Sequence, residues 1–99
     1  MIKVAILGYG TVGSGVFQII KENKELITNK AGQEIDIKYV LDLREFPGDP
    51  CENVLVHDYN IILNDPEVEV IIEVMGGLKP SYDFVKSALE AGKSVCTSN

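Results

Sequence analysis

No stretch of this sequence stays apolar for anything near the roughly 20 residues that a membrane-spanning helix needs, so a spanning segment is not expected. Met1-Ile2-Lys3 leads directly into strand-like sequence, so a secretory leader is not expected either. Basic residues are scarce: 9 Lys and Arg stand against 15 Asp and Glu, a net charge of −6. That balance speaks against nonspecific nucleic-acid binding, because a phosphate backbone is repelled by such a surface. It leaves room for a local site that takes one small anion. Only two cysteines are present, Cys51 and Cys96, without metal-ligand spacing, so neither a disulfide framework nor a metal cluster is expected. Cys96, inside SVCTS, reads as a small buried strand residue. His57 is the single histidine, has no serine or cysteine companion, and reads as a surface or strand-edge residue. Together these point to a reduced, cytoplasmic chain short enough for one domain.

What is abundant is glycine in one place. The stretch VAILGYGTVGSGV, residues 4–16, runs from an apolar segment into Gly8, Gly10, Gly13 and Gly15. Glycine inside a regular element costs roughly 0.5–1 kcal/mol relative to alanine, so this density calls for a reason. The flanking periodicity supplies one. Residues 2–7 are β-branched and nearly continuously apolar, the pattern of a strand covered on both faces. Residues 11–24 change to helical spacing, with Val12, Val16, Ile19 and Ile20 expected on the inner side. GYGTVG is therefore G-x-G-x-x-G between a strand and a helix. In that setting Gly8 makes the turn, Gly10 admits a pyrophosphate to the backbone, and Gly13 allows close helix–strand packing. The free amides and positive end of the helix then face the phosphates. Gly15 is expected to allow further close packing. The bland alternative is a tight strand–helix turn with no ligand.

The rest of the chain continues the alternation. Residues 28–34 read as a loop, 35–42 as a strand, 43–53 as an irregular connection with two prolines, and 54–58 as a short strand. Asp58 is a candidate N-cap for a short helix, 59–64, with Tyr59, Ile62 and Leu63 inward. Residues 68–75 form a third clear strand, ended by GGL at 76–78. A helix is expected over 80–91, with Tyr82, Val85, Ala88 and Leu89 on its inner face and Gly92 at C′. A last strand covers 94–98. Strands alternating with helices give an α/β fold: a Rossmann-like, doubly wound parallel sheet, incomplete at this length.

Two further positions belong to the expected site. Asp42 ends the second strand, where a carboxylate accepts hydrogen bonds from the adenosine ribose and favours NAD. It falls 29 positions after Gly13, later than the usual spacing of about 20, which a longer first helix and the following loop explain. Arg44, two residues on, suits a 2′-phosphate and favours NADP. The two signals conflict and the cofactor stays NADP or NAD. EVMGG, 73–77, lies at the carboxyl end of a central strand, where Gly76 and Gly77 permit close passage of a flat ring. Glu73, in an otherwise apolar strand, is expected near an exposed end or beside a partner.

VAILGYGTVGSGV, VLDLRE, NDPEVEVIIEVMGG and SALEAGKSVCTSN follow one another as they do at the N-terminus of homoserine dehydrogenases, and the chain resembles that family along essentially its whole length. The resemblance implies an oxidoreductase that interconverts L-homoserine and L-aspartate 4-semialdehyde with NAD(P), in the route to threonine, methionine and isoleucine. It implies nucleotide contacts at Tyr9, Gly10, Thr11, Val12 and Gly13, an adenosine end near Asp42 and Arg44, and a nicotinamide end near Gly76 and Gly77 with Thr97 and Ser98 at the same mouth. It also implies a homo-oligomeric parent acting on a small amino acid. The family usually reads T-A-N-K where this chain has Thr97-Ser98-Asn99 and stops. The lysine thought to take part in proton transfer would come next, and the substrate and dimerisation domain would follow it. Residues 1–99 are accordingly expected to be the dinucleotide-binding domain alone, with no catalytic residue and no activity of their own. A related amino-acid-pathway reductase, or a non-enzymatic NAD(H)-sensing module, are the competing readings.

Overall fold

The computed structural model describes residues 1–75 and 79–98, Lys79 by its backbone alone. Five strands form one parallel sheet: β1 (Ile2–Leu7), β2 (Ile35–Leu41), β3 (Leu55–Val56), β4 (Val68–Glu73) and β5 (Ser94–Thr97). Their spatial order is β3-β2-β1-β4-β5. β1 is central, pairing Leu7 with Leu41 of β2 on one side and with Glu73 of β4 on the other. The chain thus leaves β1 first toward one edge and later crosses back to the other, which places a topological switch point between β1 and β4.

The helices cover the two faces separately. α1 (Thr11–Glu22) and α2 (Lys24–Ala31) connect β1 to β2; α3 (Tyr59–Leu63) leads into β4; α4 (Lys79–Glu90) connects β4 to β5. Successive strand residues point to opposite faces, and β1 feeds both cores. Ala5 and Leu7 pack with Ile71, Ile62, Tyr59 and Ala88, while Ile6 packs with Val40, Ile37, Phe17 and Tyr9. Ala5, Ile6 and Leu7 are wholly buried, which is why β1 carries no polar alternation. Asp58 caps α3 as expected, accepting from the Asn60 amide, and Tyr59 and Ile62 are buried beneath it. Gly92 closes α4 at C′: its amide donates to the Leu89 carbonyl and that of Lys93 to the Ala88 carbonyl, the paired bonds of a Schellman turn.

Five sequence expectations are corrected. Residues 28–34 are not all loop: α2 runs through Ala31, ends at Gly32 in the left-handed region, and meets α1 at Asn23, whose backbone caps the preceding helix. The inner stripe of α1 is Gly13, Val16, Phe17 and Ile20, while Val12 and Ile19 are more than half exposed. In α4 the inner stripe runs through Ser81, Phe84, Val85 and Ala88, and Tyr82 and Leu89 face outward. The α1 stripe is rotated from expectation because Gly13 meets the Gly8 backbone at the closest approach to the sheet; in α4 the small Ser81 is buried in place of Tyr82. Cys96 is exposed. It lies beside Ile72 on the face that α1 covers over β1 and β2, but β5 is the edge strand beyond that cover. Finally, nothing approaches within 4 Å of a Cβ built on Gly15, so close packing does not explain that glycine.

At the amino-terminal end of the sheet, Lys38 and Tyr39 both donate to Asp65, and the buried Lys93 ammonium donates to the carbonyls of Asp65 and Val68 at 2.8 Å. These bonds tie β2, the α3–β4 turn and the start of β5 together, away from the switch point. Truncating Ile71, which is wholly buried in the central core, should destabilise the chain by about 2–5 kcal/mol, measured by urea denaturation.

Candidate functional site

The site begins where β1 stops. Leu7 and Gly8 are held from both neighbours: the Gly8 amide donates to the Leu41 carbonyl at 2.8 Å and the Val74 amide to the Leu7 carbonyl at 3.0 Å. Gly8 then turns the chain with φ +98°, a region that L side chains rarely enter. Five residues later α1 lands back on the same point. A Cβ on Gly13 would lie 2.0 Å from the Gly8 carbonyl oxygen, so the two backbones touch only because Gly13 has no side chain. This contact sets the first turn of α1 directly over the end of β1.

Gly10 is the N-cap of that helix and offers it no side chain. The first-turn amides of an α-helix have no intrahelical acceptor. Here no acidic residue stands in the first turn, and the Ser14 hydroxyl is turned to the Thr11 carbonyl at 3.2 Å. The helix end is therefore an uncompensated positive pole. A Cβ on Gly10 would meet only the Arg44 guanidinium, 4.0 Å away, so the approach to the backbone is open.

A cavity of about 530 Å³ adjoins this loop. Gly8, Tyr9 and Gly10 form one wall, Leu41, Asp42, Leu43 and Arg44 a second, with His57 and Tyr59 beside them. Val74, Met75, Pro80 and Phe84 form a third wall, mostly apolar. All three follow the carboxyl ends of strands or begin the next helix, as expected for a ligand crevice in an open α/β sheet. The third wall was not anticipated from sequence beyond Met75's place in EVMGG. The signal for Pro80 and Phe84 was their position on the first turns of the helix after the switch strand.

Asp42 and Arg44 face one another across the cavity rim. Asp42 Oδ1 accepts from the Arg44 amide at 2.9 Å and from its Nε at 3.0 Å; Oδ2 accepts from Arg44 Nη2 at 2.9 Å and from the Tyr9 amide at 2.9 Å. The Arg44 guanidinium is the main reason the Asp42 carboxyl is held down at about 2, against burial, which acts the other way. The guanidinium lies over the Phe46 ring, 5.2 Å from its centroid. Its side chain is 64% exposed while that of Asp42 is 10% exposed, so the carboxylate faces inward and the cation faces the solvent. His57 is exposed, as expected, with Nδ1 2.7 Å from the Asp42 carbonyl oxygen and Nε2 3.0 Å from the Glu45 carboxylate.

The other expected positions divide. Thr11 and Val12 are exposed at the start of α1, and Gly13 is buried against Gly8. Tyr9 borders the cavity but its ring is buried at 6% exposure. Thr97 and Ser98 lie at the end of β5 rather than in the cavity lining. Thr97 donates its hydroxyl to Glu73 Oε1 at 2.6 Å, and the Ser98 amide donates to the Glu73 carbonyl at 3.0 Å. Glu73, 1% exposed, also accepts from the Met75 amide at 2.6 Å. The partner expected for this buried carboxylate is thus a pair of donors that tie the ends of β4 and β5. Gly76 and Gly77 lie outside the described residues. Among the described residues no group of His, Cys, Asp and Glu is arranged to hold a metal ion, and no helix is long and apolar enough to cross a membrane.

A parallel sheet in this order, with an uncapped helix end and a bare glycine turn at its switch point, defines a dinucleotide-binding α/β domain of the Rossmann type. The residues present fit such a ligand: the Gly10 approach is open and the donors at the helix end are unopposed. A family model described as the homoserine dehydrogenase NAD-binding domain matches residues 8–99. Homoserine dehydrogenase from Bacillus subtilis is 38% identical over 101 residues, an alignment covering 99% of this chain and 23% of that protein. The crystal structure of Staphylococcus aureus homoserine dehydrogenase at pH 7.0 superposes with a TM-score of 0.88 at 40% identity, over 99% of this chain and 26% of that one. That of the Thiobacillus denitrificans enzyme gives a TM-score of 0.85 at 34% identity, over 99% and 23%. The chain belongs to the homoserine dehydrogenase NAD-binding domain family, and spans about a quarter of the length of these relatives.

The two glycines should separate in mutagenesis. Gly13→Ala drives a methyl into the Gly8 carbonyl and should cost about 1–3 kcal/mol or more, whereas Gly10→Val should leave stability nearly unchanged and abolish dinucleotide binding; urea curves and cofactor titrations distinguish the two. Because the folded-state pKa of Asp42 is depressed, its contribution is full above the unfolded value of about 4 and disappears as pH falls toward about 2. Urea midpoints should therefore fall more steeply over that interval for the parent chain than for Asp42→Asn.

Proposed function

We propose that residues 1–99 are the cofactor-binding domain of an enzyme that interconverts L-homoserine and L-aspartate 4-semialdehyde, with the substrate and assembly regions in the remaining length that its relatives have. The observation that carries this reading is the uncapped end of α1 above the Gly8 turn, in a chain of this family. The amides of Thr11, Val12 and Gly13 receive the pyrophosphate, and the Gly10 backbone provides the approach. The adenosine end approaches Asp42 and Arg44, and the nicotinamide extends toward Gly76, Gly77, Thr97 and Ser98. A nicotinamide cofactor held there would supply hydride transfer between the carbinol carbon of homoserine and the aldehyde. The residues of this chain bind and orient; the groups that hold the amino acid and take the hydroxyl proton belong to the rest of the enzyme, which on this reading is a cytoplasmic homo-oligomer.

The rim supports NADP over NAD. Both Asp42 oxygens already accept N–H donors, so a ribose hydroxyl would have to displace Arg44. The outward edge of Arg44 is in place for a 2′-phosphate without any such exchange. Fluorescence titration of the folded chain should show tighter binding of NADPH than of NADH, and Arg44→Ala should reduce NADPH affinity by about tenfold or more with a small effect on NADH. No binding of either nucleotide would overturn the site assignment, and tighter NADH binding would return the ribose to Asp42.

A further inference from the structure

The irregular connection between β2 and β3, residues 42–54, carries Arg44 but has little regular structure of its own: one 3₁₀ turn, Glu52–Val54, and two prolines. What secures it is a side chain from the glycine loop. The Tyr9 ring is wedged edge-on between Phe17, centroids 5.7 Å apart, and Phe46, centroids 5.0 Å apart. Its hydroxyl donates to Asp49 Oδ1 at 2.6 Å. Asp49 closes the turn from both sides: its amide donates to the Phe46 carbonyl at 3.1 Å, Oδ1 accepts from the Cys51 amide at 3.0 Å, and its carbonyl accepts from the Glu52 amide at 3.0 Å. Phe46 in turn supports the face of the Arg44 guanidinium, and Arg44 is tied through Asp42 to the Tyr9 amide. The contacts form a closed circuit from Tyr9 through Asp49, Phe46, Arg44 and Asp42 back to Tyr9.

We infer that the Tyr9 hydroxyl and Asp49 form a latch that positions Arg44 for the 2′-phosphate, so that the second residue of the glycine motif sets cofactor preference without its side chain touching the cofactor. The inference rests on the reading that Arg44 meets that phosphate. Asp42 holds the inner edge of the guanidinium through Nε and Nη2. Phe46 lies against its face, 5.2 Å from Cζ to the ring centroid, and Phe46 is held by the turn that Tyr9 and Asp49 close. A guanidinium fixed in advance binds a phosphate with less loss of side-chain freedom than one that must be ordered on binding. Burial first, and then the Asp49 carboxylate, push the Tyr9 hydroxyl upward, so it remains a donor through the physiological range.

The test compares NADPH and NADH dissociation constants for the parent chain, Tyr9→Phe, Asp49→Ala, Asp49→Asn and Arg44→Ala. Tyr9→Phe keeps the ring between Phe17 and Phe46 and removes only the hydroxyl, so it carries the test if Asp49→Ala does not fold. Tyr9→Phe and Asp49→Ala should reduce the NADPH-over-NADH preference by on the order of threefold to tenfold, the size expected for losing the prior immobilisation of one side chain. NADH affinity itself should change by less than about twofold, and Asp49→Asn, which retains an acceptor oxygen, should restore most of the preference. An unchanged preference in Tyr9→Phe, with that preference lost in Arg44→Ala, overturns the latch and leaves the phosphate reading standing. An unchanged preference in Arg44→Ala overturns both.

Discussion

The contact between Gly13 and the Gly8 carbonyl is the constraint on which the molecule's arrangement depends. It lets α1 descend onto the end of β1 until backbone meets backbone. With any side chain at Gly13 the helix would stand off from the sheet, its first turn would no longer lie over the strand end, and Phe17 would not reach Ile6 and Val40 in the core beneath. Packing and binding thus have one cause. The same approach that buries the inner stripe of α1 also aims its unpaired amides at the switch point between β1 and β4.

That placement resolves the electrostatic problem of a chain with net charge −6 that holds a polyanion. The attraction does not come from an excess of basic side chains. It comes from peptide dipoles at one helix end with no carboxylate in the first turn to cancel them. Arg44, the one Lys or Arg lining the cavity among the described residues, faces outward, while the carboxylate that restrains it is turned inward and engaged by four N–H donors. At the opposite end of the sheet Asp65 is engaged by Lys38 and Tyr39. Glu73 fastens β4 to β5 through Thr97 and accepts from the Met75 amide just beyond its own strand.

Membership in the homoserine dehydrogenase NAD-binding domain family and the geometry of the glycine loop agree on a dinucleotide-binding domain. The family gives the dinucleotide. The loop leaves backbone amides at the helix end without acceptors. Tyr9 occupies a motif position, yet its side chain serves the core and the β2–β3 connection.

The order of elements, the strand–turn–helix setting of G-x-G-x-x-G and the place of Asp42 at the end of β2 were legible in the sequence, because each depends on neighbours a few residues apart. Periodicity shows that a helix is amphipathic, and the identity of glycine shows where backbone must come close. Helix rotation was not legible. Ranking residues by hydrophobicity put Val12 and Tyr82 inward, whereas Gly13 and Ser81 are the buried neighbours, and only docking against the sheet reveals which residues face it. The exposure of Cys96 depended on how far α1 extends across the sheet, and the conflict between Asp42 and Arg44 depended on which of them faces the solvent. The bond from Tyr9 to Asp49 joins residues 40 positions apart. Local pattern determines which elements form and where the chain turns; contacts distant in sequence, decided by packing, determine which faces meet and which charges remain free to bind.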